Sequence, residues 1–168
     1  IVSFIINTLF GVVVAIGISP EAGQAAGAVI SAPIIEEASK GIGVLILLIF
    51  FRKYFDDILD GIVFAGVIAL GFATVENVLY YGRAVGVGGV EGLAALFVLR
   101  GIFSPFAHVT FTAMIGIGCG ISRESHKMYV RILLPIIGYL AAVCLHAIWN
   151  GIAVIGGLGG FAVGYLVL

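Results

Sequence analysis

Charge is what this sequence has least of. Asp, Glu, Lys and Arg make up 10% of the chain, against about 25% in a typical soluble domain. The apolar share is 62% of 168 residues, and no soluble fold of that size could hide so much apolar surface, so the solvent must be lipid. Net charge is −1, which leaves no basic footprint and excludes nucleic acid as a partner. Cysteine is nearly absent: Cys119 and Cys144 both lie in apolar stretches, so there is no disulfide framework and no paired-cysteine zinc motif. Aspartate is confined to Asp56, Asp57 and Asp60 at one polar break, so no Ser-His-Asp array is available. The first segment lacks a basic leader and a small-residue cleavage site, which argues against a signal peptide. Because the chain opens on Ile1 and its last apolar stretch stops at Leu168, it reads as part of a larger membrane protein.

What is present is long apolar runs, each near the ~20 residues that a membrane-crossing helix needs. Five candidates cover about 1–18, 29–51, 59–81, 94–121 and 131–155, and an incomplete sixth begins near Phe161 after the Gly156-Gly157-x-Gly159-Gly160 break. The runs are continuous, not alternating, which favours helices over barrel strands. The expected fold is therefore all-α: a polytopic transmembrane helix bundle of five to six spans, one domain over residues 1–168 with its core at about 29–155. Glycine is frequent, at 25 residues, and the ladders Ala65, Ala69, Ala73 and Gly116, Gly120 run along single helical faces as packing seams do. Arg52 with Lys53, and Arg123, Lys127 and Arg131, fall in two loops separated by two helices. The positive-inside rule puts both loops in the cytoplasm. His126, Arg123 and Lys127 then read as a solvated turn, and Tyr80-Tyr81 as part of the interfacial aromatic belt.

Within these apolar runs sit Glu36, Glu37, Lys40, Glu76, Arg100, His108 and His146. Each such residue costs about 2.5–3.5 kcal/mol on insertion scales, so buried ionisable groups point to function. The topology levels the two Glu sites and His146 in the outer half of the bilayer, with His108 a turn or two deeper. Glu36 and Lys40 are four apart and share a face, so Lys40 can neutralise a carboxylate. Glu37 is turned ~100° from Glu36, so one carboxylate is expected to do chemistry while the other ties the helix to a neighbour. His146 and Asn150 share a face one turn apart. Pro33 and Pro105 each stand three residues before a site residue, and each frees the carbonyl four residues upstream.

Two carboxylate sites, two imidazoles, an amide and a guanidinium in a partly dry cavity suit water activation. A Glu can serve as general base, and a His or Asn donor can stabilise an oxyanion. Glu76, His108 and His146 offer an alternative zinc site with an open position for water. No obligatory cofactor is the first expectation and a divalent metal, zinc, the close alternative. A proton- or ion-coupled transporter built on the same Glu/His chain is the competing function, and a scaffold with purely structural polar residues is a third.

In order along the chain, Glu36-Glu37-x-x-Lys40, Phe72-x-x-x-Glu76-Asn77, Arg100 with His108, and His146-x-x-x-Asn150 resemble the motifs of PrsW-type intramembrane proteases, distant relatives of the CAAX prenyl endopeptidases and the Abi proteins. The resemblance implies a membrane endopeptidase of a prokaryotic cell membrane that cuts a membrane-associated protein or peptide, in some members an anti-sigma factor. It implies Glu36 or Glu37 as the water-activating base. Glu76, His108, His146 and Asn150 would complete the site, supported by Lys40, Asn77 and Arg100. One departure stands out: CAAX-type relatives carry Phe-x-x-x-His where this chain has Glu76.

Overall fold

A computed structural model describes residues 1–167, with the side chains of 103–104 and 157–167 left aside. It is helical throughout, with no strand among the described residues. The elements in order are α1 (Val2–Gly17), α2 (Pro20–Ala26), a π-helical segment at Gly27–Ser31, and α3 (Ala32–Phe50). A 3-10 turn at Arg52–Tyr54 leads to α4 (Ile58–Leu96), a second π-helical segment at Phe97–Phe103, α5 (Ser104–Glu124) and α6 (Met128–Val167). Asp57 caps α4 by accepting from the Asp60 amide, and Ser19 caps α2 by accepting from the Ala22 amide, as short polar side chains do at helix starts.

Among the described residues two continuous helical stretches are long and apolar enough to cross a membrane, Ile58–Glu124 and Met128–Gly156, and Val2–Gly17 is a shorter apolar helix. At 67 residues the first is far too long for one crossing at ~1.5 Å rise per residue. It folds back at Gly89, whose φ of 60° is open only to glycine at no steric cost. The return strand of the hairpin is antiparallel. Gly61 meets Gly116, Gly66 meets Val109, and Asn77 meets Arg100. A Cβ on Gly61 would fall on the Gly116 carbonyl, and one on Gly118 would fall on that of Leu134, so glycine sets how closely α4, α5 and α6 approach. Ala65 and Ala69 are fully buried in the same seam. α6 continues as helix through the glycine run after Gly156 instead of breaking there; where no water competes for backbone hydrogen bonds, glycine is tolerated within a helix. The sixth segment expected from Phe161 lies beyond the residues whose side chains are described.

The bundle is apolar outside and polar within. Ile132, Ile136 and Leu140 form an exposed stripe on α6, and Leu9, Val13 and Ile16 line one on α1, while Glu37, Lys40, Thr112 and His146 are buried. The two basic loops lie at the same end, since Arg123 Nε donates to the Phe55 carbonyl (2.8 Å) and its guanidinium reaches Asp56 (3.4 Å). Arg123 is thus a clasp between loops, not part of a solvated turn.

The prolines shape the helices through the carbonyls they orphan. Pro33 and Pro105 each follow a π-helical segment, whose i→i+5 bonding shifts the carbonyl that lacks a partner from four to five residues upstream. Those carbonyls belong to Ala28 and Arg100. Asn150 Nδ2 donates to Ala28 O (2.8 Å) and Asn77 Nδ2 to Arg100 O (3.1 Å). Pro135 lies inside α6, in ordinary α-register, and orphans Arg131; Ser122 Oγ donates to Arg131 O (2.7 Å). Each break is therefore closed by a side chain from another helix. Replacing Asn77 with Leu or Ser122 with Ala should lower stability by roughly 1–2 kcal/mol each. Thr110→Ala, which loses only a bond to its own helix at Phe106, should change little. Thermal unfolding in detergent measures all three, and equal effects would count against the clasps.

Candidate active site

The first π-helical segment packs on α6, and the second, packed on α4 and α5, brings Arg100 to the same place. There a pocket of about 230 Å³ is lined by Glu36, Glu76, Tyr80, Arg100, His108, His146 and Asn150, among others. Four helices contribute: α3, α4, α6 and the π-segment with α5. The structure therefore brings all the expected site residues except Glu37, Lys40 and Asn77 to the pocket wall, and those three stand behind it.

Glu37 is the hub of that supporting layer. Its side chain has no exposed surface, and it takes a 2.6 Å ion pair from Lys40, a 2.9 Å bond from Thr112 Oγ1 and a 2.9 Å contact with His146 Nδ1. Lys40 was expected to neutralise Glu36 from the shared face; it turns to Glu37 instead, three residues back. From there it also reaches His108 Nδ1 (3.2 Å) and lies 4.7 Å from the centre of the Phe72 ring, so one ammonium satisfies a carboxylate, an imidazole and a π-face.

These contacts fix the imidazole tautomers. A carboxylate only accepts, so His146 donates from Nδ1 and keeps the lone pair on Nε2. An ammonium only donates, so His108 accepts at Nδ1, and its Nε2–H faces Glu76 Oε2 at 3.3 Å. Glu76 is held in turn by Arg100 (2.7 Å), whose guanidinium lies 3.8 Å from the Tyr80 ring centre and bonds Asn77 Oδ1 (3.3 Å). Tyr80 therefore belongs to the site wall instead of an interfacial belt. His108 packs edge-on to His146 at 5.3 Å between ring centres.

Glu36 differs from both other carboxylates. Its Oε1 takes a 3.3 Å bond from Asn7 Nδ2, and Asn7 Oδ1 accepts from Ser31 Oγ at 2.7 Å, which sets the amide's orientation. Its Oε2, like Glu76 Oε2, is buried with no hydrogen-bond partner among the described residues. Lys40 serves Glu37 and Arg100 serves Glu76, so among the described residues Glu36 is the buried carboxylate without a cation of its own.

A ligand atom from each of Glu36, His108 and His146 lies within 4.8 Å of the others. The three-residue cluster suited to a divalent ion thus contains Glu36, not the expected Glu76, because Arg100 claims Glu76. A carboxylate with two imidazoles is a donor set of catalytic zinc sites, and the free Glu36 oxygen and the His146 Nε2 lone pair fit it. His108 would ligate by giving up Lys40 or Glu76.

Reasoning from sequence missed Asn7 and Thr112. Both left a signal: Asn7 is a lone amide in an apolar helix, and Thr112 is four residues after His108 on the same face.

With this geometry in hand, the chain can be placed among known proteins. The buried Glu/His/His cluster gathers side chains from three helices, and a family model described as "PrsW family intramembrane metalloprotease" matches residues 1–168. The chain belongs to the PrsW family. It is 32% identical over 107 residues to "Protease PrsW" of Oceanobacillus iheyensis, covering 64% of this chain and 45% of that protein. It is 31% identical over 119 residues to "Protease PrsW" of Geobacillus kaustophilus, covering 68% and 49%, and 31% identical over 138 residues to that of Clostridioides difficile, covering 74% and 50%. The chain spans about half the length of these curated relatives. No solved structure matches it.

The different surroundings of the two adjacent glutamates predict different costs of neutralising them. Glu37→Gln leaves buried Lys40 without its ion pair and should destabilise by about 3–5 kcal/mol. Glu36→Gln removes a carboxylate that has no cation and should leave stability unchanged or raise it. Thermal melts of both variants decide; comparable losses would place Glu36 in the same structural network.

Proposed function

We propose that this chain carries the catalytic centre of an intramembrane endopeptidase, with Glu36 as the base that activates water. The observation that carries the reading is the free, buried Glu36 Oε2 beside two imidazoles. Family membership supports peptide hydrolysis and does not favour the transport alternative. In this reading the chain crosses the membrane five times, through α1, α3, the two limbs of the 58–124 hairpin and α6. The pocket then lies in the outer half of the bilayer, and the two clasped basic loops lie in the cytoplasm. The substrate is a membrane-associated protein, of the anti-sigma-factor kind that the motif resemblance implies.

Glu36 Oε2 accepts a proton from water as the water oxygen bonds to the substrate carbonyl carbon and the carbonyl π-electrons move to its oxygen. Glu36 then returns that proton to the amide nitrogen as the C–N bond breaks, releasing a carboxyl end and an amine. His146, held by Glu37 with Nε2 unprotonated, accepts a hydrogen bond from the same water and orients it. His108 is kept in its tautomer by Lys40 and Glu76. Arg100 and Lys40 balance the neighbouring carboxylates, so the negative charge available to the reaction is that of Glu36. Asn150 bonds Ala28 and so holds the start of the Glu36 helix against α6. Glu36, His108 and His146 would hold a divalent ion, which when bound supplies a Lewis acid and lowers the pKa of coordinated water.

Reconstituted with a single-pass substrate, Glu36→Gln should lose cleavage by at least about 10²-fold, the lower bound for a general base. His146→Ala should lose a similar factor, and undiminished cleavage in both would remove the reading. A second measurement concerns the ion. Because His108 Nδ1 is already bonded to Lys40 and its Nε2 faces Glu76 at 3.3 Å, protein stripped of divalent ions by chelation should go on cleaving. Loss of cleavage on chelation that zinc restores would transfer water activation to an ion at Glu36, His108 and His146.

A further inference from the structure

A second cleft, of about 890 Å³, runs between α1 and α4 with α3 as its floor. It is continuous with the catalytic pocket, since Ala28, Ala32, Glu36, Glu76 and Tyr80 line both. α1 packs on α2 and α3. Among the described residues no hydrogen bond joins it to α4, and the bridge between them is the Arg83 guanidinium over the Phe4 ring at 5.0 Å.

Both walls mix apolar and polar groups: on α4, Ile68, Phe72, Val75 and Leu79 stand with Glu76, Tyr80 and Arg83, and on α1 and α2, Phe4 and Val12 stand with Asn7, Thr8 and Gln24. Among the described residues the Thr8 and Gln24 side chains make no hydrogen bond. An intact apolar helix arriving from lipid satisfies its own backbone and gains nothing from a wall of hydrogen-bonding groups. An unwound segment does, because each unpaired peptide group in hydrocarbon costs several kcal/mol. Hydrolysis requires the same unwinding, since Glu36 must reach a peptide carbonyl that a helix would shield.

We propose that the α1–α4 cleft admits the substrate from the lipid as an extended segment of a membrane-spanning protein. Its backbone is received by Thr8 and Gln24 on α1 and α2, and its apolar side chains by Ile68, Phe72, Val75 and Leu79 on α4. The inference rests on the endopeptidase reading above and adds to it the route and the conformation in which substrate arrives. Glu36 sits at the inner end of that route, with its Oε1 held by Asn7 of the α1 wall.

The test separates the two claims. In full-length protein carrying Glu36→Gln to hold substrate uncut, a photoreactive phenylalanine analogue is placed at Thr8, at Leu79 or, as a control, at Leu140 on the exposed face of α6. A single-pass substrate should be captured from positions 8 and 79 and not from 140. Separately, with Cys119 and Cys144 replaced by Ala, cysteines at Phe4 and Arg83 are joined by a short reducible bifunctional reagent. Joining should abolish cleavage of the single-pass substrate while a short water-soluble peptide is still cut, and reduction should restore the loss. Capture from 140 equal to that from 8 and 79, or undiminished cleavage after joining, overturns the entry route and leaves the enzyme reading intact. Failure of the reduced protein to cut either substrate overturns the enzyme reading itself.

Discussion

In hydrocarbon no water can satisfy a carbonyl that a proline has left without its N–H partner, and most of the architecture follows from that constraint. Pro33, Pro105 and Pro135 each orphan one carbonyl, and each is met by a side chain from a different helix: Asn150, Asn77 and Ser122. A kinked helix in water could recruit solvent, whereas here the repair has to be tertiary. Each break therefore becomes a cross-link. Two of the three cross-links, Asn150 to Ala28 and Asn77 to Arg100, end at segments that carry pocket residues, so the backbone cost of bending a helix is turned into a fixed position for the chemistry.

Charge pairing then divides the labour among the three buried carboxylates. A buried charge is tolerated when it is matched and hydrogen-bonded. Glu37 has Lys40, Thr112 and His146; Glu76 has Arg100 and His108. Two cations cannot match three anions, and the unmatched one is Glu36, with one oxygen on an amide and the other free in the pocket. Among the described residues the same network thus leaves one buried carboxylate without an ion pair, and it is the one adjacent in sequence to the most fully satisfied. That arrangement follows from helical geometry: neighbours on a helix diverge by ~100°, so Glu37 faces α5 and α6 while Glu36 faces α1 and the pocket.

Much of this was legible in the sequence because lipid makes polar residues conspicuous. Glu36, Glu37, Glu76, His108 and His146 stood out against apolar runs, and the different directions in which the two adjacent glutamates face followed from their angular separation. The helical segments were legible from length and hydropathy. The partner choices were not. Lys40 shares a face with Glu36 at four residues yet pairs with Glu37 at three, because His108 and Thr112 arrive from α5 on that side, a fact of tertiary packing. The π-register was invisible too, since the periodicity of apolar residues does not report one inserted residue. It moved the orphaned carbonyls by one position, and Arg100 lies within one of the segments it widens. Asn7 escaped notice because a lone amide in a membrane helix reads first as glue.

The departure at position 76 can be understood in the same terms. A neutral imidazole there, as in the CAAX-type pattern, would need no counter-ion. The carboxylate at 76 is paired instead, with Arg100 from the π-segment before Pro105. That segment is tethered by Asn77, one residue after Glu76 on the same helix, which both accepts from Arg100 Nε and donates to its carbonyl. The substitution of charge for imidazole, the widened helical turn and the adjacent amide therefore form one unit: Glu76 is held in place by the cation it requires, and its remaining interaction sets the Nε2–H tautomer of His108. What the site lacks in imidazole it replaces with an ion pair that orients the imidazole it keeps.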